Sequence, residues 1–304
     1  MTKIKKILVP TDFSANSESA LKYAAMIATA FGSEITIYHV VALFNDDPAN
    51  PEAYLKNLQK AISVSEEALD DRQTKLEHKG TLKVKTKVSR AISIADEILN
   101  YSKEGSFDLI IIGTHGRAGI SRFLMGSVAE RIIRHTSCPV ISIKDQHGEK
   151  DLHSKIKKII VGVDFSEYSK QALTQAADFA KIFNARLEVM HVIEELLHPS
   201  FYATGESSIF DLNPDLYKRS RKVLEDFAHE TLAETTDLNV YVMEGRPHAE
   251  IVHFADSDQA DLIVMATHGL SGLDHFLIGS NSEKVARKSN IPVLILPAYE
   301  EPDS

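Results

Sequence analysis

The chain has little cysteine and no long hydrophobic run. Its 304 residues contain one cysteine, Cys138, which excludes a disulfide framework and is typical of a reducing compartment. No apolar stretch approaches the roughly 18 residues that a membrane span needs. The apolar run near the N-terminus is also too short for a signal peptide. We therefore expect a cytoplasmic protein with no membrane partner.

A surplus of positive charge is lacking as well. The formal net charge is −9, whereas a protein that binds nucleic acid or a membrane surface needs a basic face. Hydrophobic residues make up 43% of the chain and charged residues 25%, which are ordinary values for a globular protein. The composition predicts well-formed cores and no nucleic-acid partner.

The common catalytic signatures are missing too. The sequence contains no Walker A motif, no G-x-G-x-x-G fingerprint and no H-E-x-x-H motif. No nucleophile lies near a recognisable base in the sequence. We therefore assign no catalytic and no metal-binding residue.

What the chain does contain is an internal repeat. The segment KIKKILVPTDFS at 3–14 returns as KIKKIIVGVDFS at 155–166, and LIIIGTHG at 109–116 returns as LIVMATHG at 262–269. The offset is 152 residues for the first pair and 153 for the second, far longer than a solenoid repeat. We expect a duplicated domain, with domain 1 over 1–143, a polar linker over 144–154 and domain 2 over 155–298.

Each half alternates buried apolar runs with amphipathic segments. In the first half we predict strands at Ile7–Val9, Ile35–Val41, Leu82–Val88, Leu109–Ile112 and Val140–Ile143. Helices are predicted after Ser14, over Tyr54–His78 and Ser93–Tyr101, and from Ser127. This alternation predicts an α/β fold with a doubly wound parallel sheet in each half. In the second half, residues 194–220 are rich in turn formers, and we predict a mobile loop there.

One glycine-rich loop could hold a phosphate. Gly113 and Gly116 are followed, after nine further residues, by Gly126 and Ser127. The loop leaves a buried strand at its carboxyl end, where such sheets bind ligands, and a helix N-terminus attracts anions. However, Ser127 and Glu130 also form a capping-box pattern, which would make the serine a helix cap and the glycines parts of a turn. The residues alone leave both interpretations open.

Several separated motifs resemble the universal stress protein family. They are KKILVPTDFS, the strand end His39-Val40, and GTHGRAG with the later LMGSVAERIIRHTSCPVISI. The resemblance covers nearly all of both halves. It implies two tandem Rossmann-like domains, each with a five-stranded parallel sheet of order 3-2-1-4-5 between helices. Residues 113–127 match the G-x2-G-x9-G-(S/T) loop of the ATP-binding members, which implies an ATP-binding protein of the stress response.

The resemblance also implies particular site residues. Asp12 would contact the ribose and Val40 the adenine edge, although Asp12 could instead be a helix-start carboxylate favoured by the helix dipole. The remaining implied ATP-binding residues of domain 1 are Pro10, Gly113, Gly116, Arg117, Gly126, Ser127 and Val128. The ligand would be ATP, with or without a magnesium ion that it carries.

Domain 2 departs from the pattern. Its counterpart residues, Asp164, Val192, Ala266, Gly269, Gly279 and Ser280, form a possible second ATP site. Ala266 replaces the first glycine, and Leu270 replaces Arg117. If that glycine needs a positive φ, alanine there costs about 1–2 kcal/mol. We therefore expect weaker ATP binding in domain 2.

Two other functions compete with a regulatory or protective ATP-binding protein. A slow ATPase needs a general base near the γ-phosphate, and the sequence shows none clearly. A protein-interaction module without nucleotide would use the glycines only to shape turns. For the assembly, the resemblance implies an intramolecular pseudo-dimer in which the last strands of the two domains pair, and it leaves a homodimer of the whole chain open.

Overall fold

The computed structural model describes residues 3–43, 51–78, 80, 82–114, 125–144, 155–194, 208–232, 236–267 and 280–297. They fall into two compact units, one within 3–154 and the other within 155–304. The described helices include none that is long and apolar enough to cross a membrane.

The first unit alternates strands and helices from beginning to end. Its elements are β1 (Lys6–Pro10), α1 (Ala15–Phe31), β2 (Glu34–Ala42), α2 (Pro51–Glu77), β3 (Lys83–Ala91), α3 (Ile94–Glu104), β4 (Leu109–Gly113), α4 (Ser127–His135) and β5 (Val140–Ile143). The strands are parallel and lie in the order β3-β2-β1-β4-β5. Ile7 pairs with Ile35 on one side and with Leu109 on the other. The expected order 3-2-1-4-5 is confirmed.

The second unit has the same plan with one additional short helix. Its elements are β6 (Lys158–Gly162), α5 (Glu167–Phe183), β7 (Arg186–Glu194), α6 (Ile209–Leu212), α7 (Pro214–Thr231), β8 (Leu238–Gly245), α8 (Pro247–Ser257), β9 (Leu262–Ala266), α9 (Ser280–Lys288) and β10 (Val293–Leu296). Its parallel strands lie in the order β8-β7-β6-β9-β10, which is again 3-2-1-4-5. In both units the central strands are apolar and buried on both faces, as expected for a sheet covered by helices.

The prediction of a loop over 194–220 is wrong for its second part. Residues 209–212 are helical, and α7 begins at Pro214; residues 195–207 lie outside the described part of the chain. The error has a physical cause. Proline breaks a helix interior but suits the first helical turn, where its missing N–H has no intrahelical partner. A proline that indicates a turn in the sequence therefore starts a helix here.

The helices that follow β1 and β6 begin in the same way. The Oγ of Ser14 accepts the N–H of Ser17 at 3.3 Å, and the Oγ of Ser166 accepts the N–H of Ser169 at 3.1 Å. These N-caps confirm the predicted helix start after Ser14. Because both helices start directly after a central strand, the loop before each of them lies at the carboxyl edge of its sheet.

Cys138 packs in the interior of the first unit. It is buried, and its Sγ donates to the carbonyl of Phe107 at 3.1 Å. Burial raises the pKa of its thiol to about 12, so the reactive thiolate is not formed at neutral pH.

Candidate functional site

The loop between β1 and α1 places a carboxylate at the carboxyl edge of the first sheet. Asp12 is half-buried, and its Oδ1 accepts the N–H of Ser14 at 3.0 Å. Phe13 has a φ of 64°, a left-handed conformation that bulky residues seldom adopt and that is concentrated at ligand sites. The Phe13 and His39 ring centroids are 4.6 Å apart. Asp12 thus supports the start of α1 and also lies where such sheets bind ligands.

The end of β2 extends beyond the end of β1. β1 ends at Pro10, and the carbonyl of Tyr38 accepts the N–H of Thr11 at 2.9 Å. In a parallel strand, the backbone groups of alternate residues face the same neighbouring strand. The N–H and C=O of Val40 therefore face the side that β1 leaves when the chain turns into the Asp12 loop. This orientation suits a backbone contact to a planar ligand edge.

An apolar cleft of about 740 Å³ opens beside Val40, between the end of β2 and helix α2. Its apolar wall includes Phe13, Val40, Ala42, Leu58, Ala61 and Val64. The side chain of Val64 is 55% exposed, which is a large exposure for an aliphatic residue and fits a wall that a ligand would cover. Ligand pockets are typically of this size and are lined mostly by apolar groups.

Arg72 of α2 stiffens one wall of this cleft. Its guanidinium lies 4.8 Å from the centre of the Phe13 ring, and its Nε donates to Glu18 Oε1 at 2.5 Å. A further guanidinium nitrogen donates to the carbonyl of Ala68 at 2.7 Å. The cation is therefore already bound by a carboxylate, a carbonyl and a ring, so we assign Arg72 to the wall of the cleft and not to an anion site.

The first turn of α4 presents backbone N–H groups at the same edge. The N-cap is Gly126, with φ −64° and ψ 142° and no side-chain cap bond, and Ser127 is the first helical residue. The N–H of Gly126 donates to the carbonyl of Thr114 at 2.7 Å, and Glu130 makes the first helical bond, to Gly126, at 2.9 Å. The amides in between, those of residues 127–129, have no acceptor within the helix. They are the groups that could bind an anion.

The capping-box interpretation of Ser127 is therefore wrong. Because Gly126 occupies the N-cap, the serine hydroxyl lies one position too late to cap the helix in that way. Ser280 likewise belongs to α9 as its first residue. The carboxylate of Glu130 pairs with Arg134, one turn along the helix, at 3.0 Å. Its negative charge is thus partly balanced by a cation of the same helix.

Gly113 is required for packing and not for a positive φ. It does not adopt a left-handed conformation, but a Cβ on it would lie 2.8 Å from the backbone carbonyl carbon of Asn16 in α1. Real Cβ atoms do not approach that closely. The glycine therefore lets the start of α1 lie against the end of β4. The backbone penalty expected for Ala266 has no basis, since neither Gly113 nor Ala266 has a positive φ.

The structure brings most of the sequence-predicted residues of the first half to one edge. Pro10 ends β1, Val40 lies near the end of β2, Gly113 ends β4, and Gly126, Ser127 and Val128 start α4. Gly116 and Arg117 of the first half, and Gly269 and Gly279 of the second, lie outside the described residues.

The second unit repeats this edge with altered contacts. Asp164 and Val192 occupy the places of Asp12 and Val40, and Phe165 has a φ of 66°. Phe165 packs edge-on against Phe227, with ring centroids 5.4 Å apart, where Phe13 meets Arg72 in the first unit. In addition, the hydroxyl of Ser282 donates to the carbonyl of Ala266 at 2.5 Å. The first turn of α9 is thus tied to the end of β9.

Sequence reasoning missed the aromatic and helical walls of the site. Phe13 and His39 each recur in the second half, as Phe165 and His191. In both units the histidine Nδ1 lies within 2.9 Å of the carbonyl of the residue before the aspartate. Burial lowers the pKa of His191, which favours its neutral form. The recurrence of these residues in both halves is the signal by which the sequence could have identified them as site residues. No comparable motif in the sequence marks the residues of α2 that line the cleft.

Comparison with known proteins agrees with this fold. The family model described as "Universal stress protein family" matches residues 3–144 and again residues 155–297. The chain belongs to the universal stress protein family. Its membership accounts for two tandem domains with the same strand order.

Individual universal stress proteins extend over the whole length of this chain. A universal stress protein of Mycolicibacterium smegmatis is 27% identical over 299 residues, which covers 95% of this chain and 96% of that protein. The crystal structure of a universal stress protein from Archaeoglobus fulgidus covers 97% of each chain with a TM-score of 0.69 and 24% identity, and supports the fold alone. A universal stress protein solved in complex with cAMP is 28% identical over 47% of this chain and 98% of its own, with a TM-score of 0.33.

Metal ligands are not clustered in the part of the chain that the structure describes. No group of three or more His, Cys, Asp or Glu side chains there could hold a metal ion.

Proposed function

We propose that the first domain binds ATP at the carboxyl edge of its sheet, and that the protein acts in the stress response as a regulatory or protective nucleotide-binding protein. One observation carries this proposal. The half-buried carboxylate of Asp12, the apolar cleft at Val40 and the open first turn of α4 all lie at the same edge. A nucleoside triphosphate needs a polar partner for its ribose, an apolar surface for its base and N–H donors for its phosphates, and these three elements can provide them.

The base would lie in the cleft. Its apolar wall can cover both faces of a purine, and the volume of about 740 Å³ leaves room for the nucleoside. The backbone N–H and C=O of Val40 would read the donor and acceptor edge of the adenine. A backbone contact of this kind is fixed by the strand, so it needs no side-chain ordering on binding.

The ribose and phosphates would follow toward α4. A carboxylate can accept hydrogen bonds from both ribose hydroxyls, and charged hydrogen bonds are the stronger kind. The phosphates would accept the N–H groups of residues 127–129, where the helix dipole also favours negative charge. The carboxylate of Glu130 is paired with Arg134, which reduces its repulsion of a phosphate at that turn.

The first test is the ligand that the protein already holds. The full chain is purified without dialysis, denatured, and its released small molecules are identified by mass spectrometry. We expect ATP. Release of ADP after incubation with ATP would make the protein an ATPase. No nucleotide, together with no heat signal when ATP is titrated into the full chain, would contradict the proposal and support an interaction module.

The second test uses one substitution in each domain. Asp12→Asn keeps the shape and the acceptor for the N–H of Ser14 but removes the charge, so we expect ATP affinity to fall about tenfold or more. Asp164→Asn is the matched control, since it alters the equivalent residue of the second domain. Calorimetry on the full chain measures both variants. Equal ATP affinity in the Asp12→Asn protein and the unsubstituted protein would count against the ribose assignment.

A further inference from the structure

An ion pair joins helices α3 and α4 of the first unit. One guanidinium nitrogen of Arg131 in α4 lies 2.8 Å from one carboxylate oxygen of Asp96 in α3 and 3.1 Å from the other. The pKa of Asp96 is lowered first by its hydrogen bond to Ser93 and then by Arg131 and His135. The carboxylate therefore faces two basic side chains of α4, which lie one helical turn apart.

In the second unit, the equivalent helices α8 and α9 keep the two basic positions and lose the acid. The equivalent residues lie 153 positions further along the chain. They are Lys284 and Lys288 for Arg131 and His135, and Ala249 for Asp96. The methyl group of alanine carries no charge to balance the lysines. The ion pairs that the structure describes in the second unit involve other cations, namely Lys158, Lys170, Arg221 and Lys222.

Helix α8 adds two further basic groups, Arg246 and His248, where the first unit has a serine and an alanine. The His248 ring is hydrogen-bonded to the side chain of Asn281, in the first turn of α9. Residues 281, 284 and 288 share one face of α9, because steps of three and four residues follow a helix face. His248 therefore lies against the face that carries Lys284 and Lys288. Burial, and then these lysines and Arg246, lower its pKa and favour the neutral ring.

The acidic residues beside these basic groups in the sequence have other places. Glu244 accepts the first backbone N–H of α6 at 2.6 Å. Glu250 Oε1 lies 2.9 Å from where a Cβ would stand on the glycine that ends β8. Glu283 is about 100° around α9 from Lys284. The surface between α8 and α9 is therefore basic, and the first turns of both helices add the positive ends of their dipoles.

We infer that the second domain binds a phosphate group between α8 and α9, through Arg246, Lys284 and Lys288 together with the His248 ring. The phosphate oxygens would lie where the first unit has the Asp96 carboxylate. A phosphate carries about two negative charges at neutral pH, which suits three cations better than a single carboxylate does. Inorganic phosphate and a phosphate of a nucleotide share this chemistry. The inference goes beyond the proposed function, since it does not depend on the ATP site of the first domain.

The test follows the ring signal of His248 by NMR in the full chain. Its signal is assigned by its loss in His248→Gln. Inorganic phosphate and ATP are titrated separately, with sodium chloride at equal ionic strength as the control for screening. A bound anion favours the imidazolium, so we expect the pKa of His248 to rise. A rise with inorganic phosphate identifies that ion as a ligand, and a rise with ATP alone identifies a nucleotide phosphate.

Substitutions that move the acid between the domains sharpen this test, with calorimetry as the second measurement. Ala249→Asp should abolish phosphate binding, because it supplies the acid that the first unit has. Lys284→Gln should weaken binding about tenfold or more, the effect of one charge-assisted hydrogen bond. Lys181→Gln, which removes an exposed lysine of α5, should leave it unchanged. Asp96→Ala should create phosphate binding in the first domain, since it uncovers the two basic side chains of α4.

Two results would overturn the inference. One is a His248 response to phosphate and to ATP no larger than the response to sodium chloride. The other is phosphate binding that persists unchanged in a folded Ala249→Asp protein, which would place the anion elsewhere. Neither result bears on the first domain. Binding of ATP that depends on Asp12, with no response at His248, would leave the proposed function intact and remove only this second site.

Discussion

The two domains share a strand order but differ where the fourth strand of each sheet ends. In the first domain Gly113 lets α1 approach so closely that a Cβ would lie 2.8 Å from the backbone of Asn16. In the second domain Ala266 ends the strand, and Tyr168 stands in α5 where Asn16 stands in α1. The same fold thus accepts a methyl group at this point in one copy and leaves no space for it in the other.

This difference shows which parts of a duplicated domain are free to diverge. The apolar central strands and the serine N-caps recur in both copies, because the sheet and its helices depend on them. The polar contacts at the carboxyl edge recur only in part: the histidine contact to the carbonyl before the aspartate is present in both units, but the buried serines differ. The hydroxyl of Ser17 donates to the carbonyl of Ser14, whereas that of its equivalent, Ser169, donates to Asp164 Oδ1. The carboxyl edge has therefore diverged more than the strands and the helix starts.

The largest effect is expected from Gly126→Val. The dihedral angles of Gly126, φ −64° and ψ 142°, are ones that valine adopts readily, so the backbone itself should tolerate the change. A branched side chain at the N-cap would hold phosphate away from the first turn of α4. We expect ATP affinity in the first domain to fall by about 100-fold or more, because the loss of two hydrogen bonds to a charged phosphate, at about 1.5–3 kcal/mol each, has an effect of that size.

Calorimetry on the full chain measures that loss, and a thermal melt serves as the control for folding. The counterpart change in the second domain, Gly279→Val, should alter total ATP binding far less, because the second site is expected to be the weaker one. A folded Gly126→Val protein that binds ATP normally would remove α4 from the site.

Gly113→Ala should affect stability. The added Cβ meets the backbone of Asn16, and such overpacking typically costs about 1–3 kcal/mol. Ala266→Gly is the matched control and should cost only about 0.5–1 kcal/mol, from chain flexibility. Urea denaturation of the two proteins measures both free energies of unfolding. If Gly113→Ala is no less stable than the unsubstituted chain, the close approach of α1 to β4 is not a constraint.

The sequence predicted the architecture well because the architecture depends on strong local patterns. The short apolar runs and Ser14 mark strand positions and a helix start that the structure reproduces. The internal repeat then shows the same pattern a second time in the other half of the chain. The fold class followed from that pattern, and the strand order was implied by the family resemblance, with no knowledge of contacts between distant residues.

The details of the site were less accessible, because they depend on contacts between distant segments. Whether Gly113 is needed for its φ or for its packing depends on Asn16, nearly one hundred residues away. The shift of the N-cap from Ser127 to Gly126 is a single-residue displacement of a helix end, which sequence patterns define poorly. The start of α7 was not predicted, because its first residue is a proline and the residues before it are turn formers, a pattern that indicates a loop.

A pair of carboxyl groups, one of them buried, distinguishes the second domain in its response to pH. Glu188 in β7 is 1% exposed, whereas the first domain has Thr36 at this position. Burial and the neighbouring Asp258 raise the pKa of Glu188 to about 7, while Lys158 and Arg186 act in the opposite direction. The Nζ of Lys158 lies 2.7 Å from Asp258 Oδ2. Glu188 is thus mostly protonated below about pH 7, beside an ionised Asp258, whose pKa is lowered.

The sign of the pH effect follows from proton binding. Above the ordinary pKa of a glutamate, 4.5, the unfolded chain has lost this proton, while the folded domain keeps it up to about pH 7. The folded state therefore binds more protons, and its free energy of unfolding should fall as the pH rises through that window. Glu188→Gln should flatten the dependence and stabilise the second domain above neutral pH. Urea denaturation between about pH 5 and pH 8 measures this. An equally steep dependence in Glu188→Gln would contradict it.

The smallest effect is expected from Ser127→Ala, and it separates two roles of one hydroxyl. Because Gly126 holds the N-cap, removing the hydroxyl should change the free energy of unfolding by no more than about 0.5 kcal/mol, as at other exposed positions. A true N-cap serine would cost about 1 kcal/mol. If the hydroxyl donates to a phosphate, ATP affinity should fall by about 10-fold, the lower end of the value of one hydrogen bond to a charged group. Ser280→Ala is the control at the first residue of α9. Normal ATP affinity in a stable Ser127→Ala protein would leave phosphate binding to the backbone amides alone, and a loss of stability near 1 kcal/mol would show that the serine caps the helix after all.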